Sequence, residues 1–95
     1  MYVIFGRNNC PYCDKAKELC ERIGVDYQYV DVLADRFDSE RMHRAVFHAT
    51  GAVAKTVPQI FQVTTISGVQ TYIGGYTELA SRHQTDLDID FDEDL

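Results

Sequence analysis

The chain has 95 residues, 45% of them apolar and 25% charged, with a formal charge of −6. That describes one domain of ordinary soluble composition, too short for a large cofactor and a separate substrate domain. The charge is unevenly placed: Asp86, Asp88, Asp90, Asp92, Glu93 and Asp94 lie in a stretch without a base, the body before them is formally neutral, and neither a basic nucleic-acid footprint nor an apolar run near the roughly 20 residues of a membrane helix is present.

Taken in chain order, Tyr2–Phe5 is predicted to be a short buried strand, and Gly6–Asn9 a polar turn. Pro11 sits where a helix would open, since a first helical position has no intrahelical use for the missing N–H. Ala16, Leu19, Cys20 and Ile23 then recur on one helical face, and Gly24 is the expected stop. Tyr27–Leu33 carries the aromatic and β-branched content of a second strand. Asp38 or Ser39 is the expected cap of a second helix, with Met42, Ala45, Val46 and Ala49 as its apolar stripe and Gly51 as its end.

Past Thr56-Val57-Pro58, Gln59–Thr64 and Val69–Ile73 are predicted strands of a hairpin turning near Ser67-Gly68. Gly74-Gly75 breaks the chain, and a last helix opens at Tyr76 or Thr77 and runs to about Gln84. The order β-α-β-α-β-β-α makes an α/β fold: a parallel βαβ unit, an antiparallel hairpin, and a four-stranded mixed sheet flanked by helices. Residues 1–85 form the expected domain and 86–95 an acidic tail. Its alternation of apolar and acidic residues, Leu87-Asp88-Ile89-Asp90-Phe91-Asp92, is taken as a solvated end, with an added edge strand or a docking peptide as the alternatives.

The three cysteines, Cys10, Cys13 and Cys20, are an odd number clustered in a short span, which is a poor framework for a secreted disulfide-bonded domain. The N-terminal Met1–Gly6 has no basic region and does not resemble a secretory leader, so a reducing, cytoplasmic setting is expected. Cys10 and Cys13 are spaced to share a face of a first helical turn. Unpaired N–H groups and the helix dipole there favour an anion. Cys10 is therefore expected to be the attacking thiolate, in the range of about 3.5–7.5 seen for such thiols, and Cys13 the protonated resolving thiol. A C-x-x-C pair is also half of a zinc site, but only Cys20, His43, His48 and His83 remain as partners and none has zinc-finger spacing, so no metal is assigned. Cys20 belongs to an apolar stripe and is expected to be a buried structural residue. His43, His48 and Lys55 are expected to be solvated, with a place beside a bound ligand for His43 and the steering of an acidic ligand for Lys55 as the alternatives.

Cys10-Pro11-Tyr12-Cys13, preceded by Val3-Ile4-Phe5-Gly6-Arg7 and followed by Thr56-Val57-Pro58-Gln59-Ile60-Phe61 and Gly74-Gly75-Tyr76-Thr77-Glu78, resembles the dithiol glutaredoxins, in order and spacing, over most of residues 2–80. The resemblance implies a thioredoxin-like fold and a cis Val57–Pro58 bond facing the cysteines. It implies no bound cofactor and glutathione as co-substrate. Arg7 and Tyr12 would flank its glycine-side carboxylate, Thr56, Val57 and Pro58 would pair with its backbone, and Gly75, Tyr76 and Thr77 would grip its γ-glutamyl end. Glu78 stands where the family more usually has aspartate. Disulfide-bearing or glutathionylated proteins, ribonucleotide reductase among them, are the implied partners of a monomer that binds neither nucleic acid nor membrane. Two other readings remain open: a donor recycled by thioredoxin reductase, and an iron–sulfur carrier bridging two chains.

Overall fold

A computed structural model describes residues 1–64 and 68–84. The elements follow the expected order: β1 (Tyr2–Gly6), α1 (Pro11–Ile23), β2 (Tyr27–Asp31), α2 (Arg36–Thr50), β3 (Gln59–Val63), β4 (Gln70–Gly74) and α3 (Tyr76–Arg82). The strands form one mixed sheet in the order β2-β1-β3-β4. β1 pairs parallel with β2, Ile4 opposite Tyr29, and antiparallel with β3, Ile4 opposite Ile60. Every residue of β1 is buried, as its central place requires. The proposed tail from Asp86 to Leu95 and Ser67 of the expected turn lie outside the described residues.

Alternation along the strands splits the core in two. On one face Tyr2, Ile4 and Ile60 pack with Ala16, Leu19 and Cys20 of α1 and with Leu79 and Ala80 of α3. On the other, Val3, Phe5, Val30 and Phe61 pack with Met42 and Val46 of α2. Full burial of a side chain such as Ile4 or Leu79 contributes about 1.5–3 kcal/mol. β1 thus ends, at Gly6, between two helical layers, and the loop that follows it carries the cysteines.

Several boundaries differ from the sequence expectation for local reasons. β2 stops at Asp31, because the Asp31 carboxylate accepts the Leu33 N–H at 2.9 Å and turns the chain off the sheet. Leu33 is left 72% exposed instead of continuing the strand. The second helix is capped by Asp35 and not by Asp38 or Ser39: Asp35 Oδ1 accepts the Phe37 N–H at 2.7 Å. Met42 and Val46 are the buried positions of this helix, with Ala45 half-buried and Ala49 exposed near its end. Gly24 and Gly51 close their helices at φ 72° and 75°, a left-handed conformation that glycine adopts without steric cost. α3 ends at Arg82, short of Gln84, and the Tyr2 hydroxyl meets His83 Nε2 at 2.7 Å beside that end.

Candidate active site

Cys10 is the N-cap of α1 and Pro11 its first residue. The Cys13 backbone N–H donates to Cys10 Sγ at 3.2 Å, so a free helix-terminal donor is aimed at this sulfur. Asn9 supports the arrangement with φ 58°, a left-handed conformation that asparagine tolerates better than most residues. Cys10 and Cys13 are joined by a disulfide, with their Cα atoms 5.2 Å apart. Cys13 is completely buried and Cys10 is 6% exposed, so the sulfur placed at the helix end is the accessible one, although less open than an exposed helix end suggests.

The Val57–Pro58 bond is cis. Cys10 Sγ lies 3.8 Å from the Val57 carbonyl oxygen, which brings the loop before β3 against the cysteine pair. Gln59, buried at the start of β3, holds that loop: its side-chain N–H donates to the Thr56 carbonyl at 2.8 Å, and its Oε1 accepts the Tyr72 hydroxyl of β4 at 2.6 Å. The Gln59 amide is thus committed to two protein groups.

The remaining candidates gather around this centre. Arg7, Thr56 and Val57 line a cleft of about 280 Å³ beside α2, together with His43 and Lys55. Lys55 and His43 are thus placed beside Arg7, a juxtaposition that no local pattern in the sequence signals, because the two residues come from a loop and a helix far from β1. Tyr12 is 48% exposed and meets Tyr76 with ring centroids 6.0 Å apart. The Lys15 ammonium lies 5.3 Å from the Tyr12 ring and 5.9 Å from the Tyr76 ring, within cation–π range of both. The link between Lys15 and Tyr76 comes from the packing of α3 on α1.

At the start of α3, Glu78 turns back so that Oε1 accepts the Gly75 N–H at 2.7 Å. Gly74 precedes it at φ 123°, and a side chain there would stand 2.7 Å from that same carboxylate oxygen. Gly75 in turn lies close to the Pro58 carbonyl, so the Gly-Gly turn and the Val57–Pro58 loop are neighbours. Thr77 is exposed at the same end.

Cys20 is free, completely buried in the α1 face of the core, and outside the site. Burial pushes its thiol from 9.0 up to about 11, with the charge of Glu21 adding to the rise. Among the described residues no group of three His, Cys, Asp or Glu side chains is placed to hold a metal ion, and no helix is long and apolar enough to cross a membrane.

The glutaredoxin family model matches residues 2–65. The chain is similar to glutaredoxin 1 of Escherichia coli strain K12, 40% identical over 91 residues that cover 90% of this chain and 95% of that protein. The solution structure of reduced E. coli glutaredoxin superposes with a TM-score of 0.63 at 38% identity, covering 93% of this chain and 98% of the other. The crystal structure of a buckwheat glutaredoxin–glutathione complex superposes with a TM-score of 0.66 at 28% identity, covering 90% and 69% of the two chains.

Proposed function

Because the chain belongs to the glutaredoxin family and is a thiol–disulfide oxidoreductase of thioredoxin-like fold, we propose that glutathione is its reductant and that protein disulfides and glutathionylated proteins are its substrates, with ribonucleotide reductase among the acceptors. The observation that carries this reading is the setting of Cys10: its sulfur receives the Cys13 N–H at the start of α1 and lies against the Val57 carbonyl. A sulfur so placed is stabilised as a thiolate once reduced. The neighbouring Val57 backbone offers an extended peptide the edge pairing that glutathione, a short γ-linked peptide, can use.

In the forward reaction the Cys10 thiolate attacks one sulfur of a substrate disulfide. A Cys10–substrate bond forms and the other sulfur leaves, taking up a proton. Cys13, deprotonated, attacks Cys10 Sγ; the Cys10–Cys13 bond forms and the second substrate sulfur leaves reduced. One glutathione thiolate opens the Cys10–Cys13 bond to give a Cys10–glutathione mixed disulfide. A second glutathione releases Cys10 and departs as glutathione disulfide, so two electrons pass from two glutathiones to one substrate disulfide.

Charge decides how the reductant is oriented. The glycine carboxylate is assigned to the cleft of Arg7, where Lys55 adds to the field, with Thr56, Val57 and Pro58 along the backbone. The γ-glutamyl end is assigned to Gly75, Tyr76 and Thr77; Tyr12, expected with Arg7 at the glycine-side carboxylate, meets the Tyr76 ring and is reassigned to lie between the two ends. Glu78 is part of this end, but one of its oxygens is engaged by Gly75, which leaves the other for the ligand amine. The protein is taken to act as a cytoplasmic monomer without a bound cofactor. The test is a coupled assay on a small mixed disulfide, run with glutathione and glutathione reductase and, separately, with thioredoxin reductase. Turnover only in the first supports the proposal; turnover only in the second overturns it.

A further inference from the structure

Ile4 and Gly6 lie on the face of β1 that carries α1, and Tyr29, the partner of Ile4 on β2, packs on that same face. A Cβ built on Gly6 would stand 2.9 Å from Cys13 Sγ and 2.5 Å from the Tyr29 hydroxyl oxygen. Position 6 therefore has no space for a side chain, and the two atoms that crowd it are the buried sulfur of the resolving cysteine and a phenol oxygen. The Tyr29 hydroxyl donates its single hydrogen to the Arg7 carbonyl at 3.1 Å. A phenol has one donor and retains acceptor lone pairs. With the donor committed, the oxygen can only accept from a further neighbour.

We propose that Tyr29 is a positioning residue for the resolving thiol: in the reduced protein its hydroxyl accepts the Cys13 S–H hydrogen bond, and glycine at position 6 admits the contact. The contact exists in one redox state only. When a disulfide substrate R–S–S–R′ is reduced, the Cys10–Cys13 bond forms, the substrate S–S bond breaks, and the two substrate sulfurs leave as thiols with two electrons and two protons. Cys13 then has no hydrogen to donate. Tyr29 thus favours the dithiol over the disulfide, through Cys13 and without touching substrate. Burial, together with the charges of Asp31 and Asp14, raises Tyr29 above the ordinary phenol range, so the hydroxyl keeps its hydrogen over the pH range of thiol exchange.

Wild type and Tyr29→Phe are equilibrated in a small-dithiol redox buffer, and the oxidised fraction is read by alkylation and mass. This readout does not depend on glutathione, so it stands or falls apart from the choice of reductant. Loss of one neutral hydrogen bond should favour the disulfide by about fivefold in the equilibrium constant. In a Cys13→Ser background, where only Cys10 reacts, adding Tyr29→Phe should leave the rate with a small mixed disulfide within about twofold of its parent, as expected for a group that acts through Cys13. In the wild-type protein, labelled at the tyrosine ring carbon bearing oxygen, the Tyr29 resonance should move between the reduced and oxidised states. An unchanged equilibrium constant, a Cys10-only rate that shifts as far as the equilibrium, or a stationary Tyr29 resonance each overturns the proposal.

Discussion

The Gln59 side chain ties Thr56 to Tyr72: its N–H donates to the Thr56 carbonyl at 2.8 Å while its Oε1 accepts the Tyr72 hydroxyl at 2.6 Å. A buried amide therefore connects the loop beside Cys10 to the edge strand β4. Gln59→Leu keeps the approximate volume and removes both bonds. Each such hydrogen bond contributes about 0.5–1.5 kcal/mol. Denaturant unfolding should show a loss of that order, and the coupled assay should show KM for glutathione rising more than kcat falls. A stability equal to wild type would show that the loop does not depend on this amide.

The two cysteines should separate cleanly by variant. Cys10→Ser should lower turnover of a mixed disulfide to background. Cys13→Ser should retain at least part of the deglutathionylation, because that route needs one attacking sulfur, while losing reduction of protein disulfides that rely on ring closure. Full activity in Cys10→Ser would reassign the nucleophile.

Cys20 should be silent in alkylation. With its thiol pushed from 9.0 up to about 11, its thiolate fraction near neutral pH is lower than that of an ordinary cysteine by about a hundredfold, before burial slows access further. Alkylation of the reduced native protein followed by mass should label Cys10 and spare Cys20. The same group adds a pH dependence to stability. Its folded pKa is raised, so the folded protein retains the proton in a range where the unfolded chain loses it. This contribution is intact below about pH 9 and is lost as pH rises from 9.0 to about 11. Unfolding measured across that window should fall less steeply in Cys20→Ala than in wild type.

Gly6→Ala should be costly although alanine suits a strand better than glycine does. The added Cβ would meet the Tyr29 hydroxyl at 2.5 Å and Cys13 Sγ at 2.9 Å, and one of them must move. Overpacking of this kind costs about 1–3 kcal/mol. Thermal unfolding should register it, and in a Tyr29→Phe background, which removes one of the two colliding atoms, the penalty should be smaller.

Glu78→Ala removes the acceptor of the Gly75 N–H at the start of α3. Loss of such a cap costs about 0.5–2 kcal/mol. Glu78→Gln retains an acceptor oxygen and should recover most of that stability. If the second carboxylate oxygen serves the amine of glutathione, Glu78→Gln should still raise KM, and the split between stability and KM separates the two roles.

The amino-acid sequence by itself determined the succession of seven elements among the described residues, the helix stops at Gly24 and Gly51, the burial of Cys20, and the place of Cys10 at the start of α1. Each of these follows from short-range rules: apolar spacing, a proline at a helix start, a glycine where φ is positive. It did not determine where β2 ends or what caps α2, since Asp31 and Asp35 compete with the backbone by side-chain bonds of a kind open to several nearby acidic residues. The grouping of Arg7 with Lys55 and His43, of Tyr12 with Lys15 and Tyr76, and of Gly6 with Tyr29 and Cys13 was decided only by the tertiary structure. Those contacts join residues from different elements, and they exist because a β2-β1-β3-β4 sheet with helices on both faces brings the end of β1, the start of α1 and the loop before β3 to one place. Local preference acts along the chain; the site is made across it.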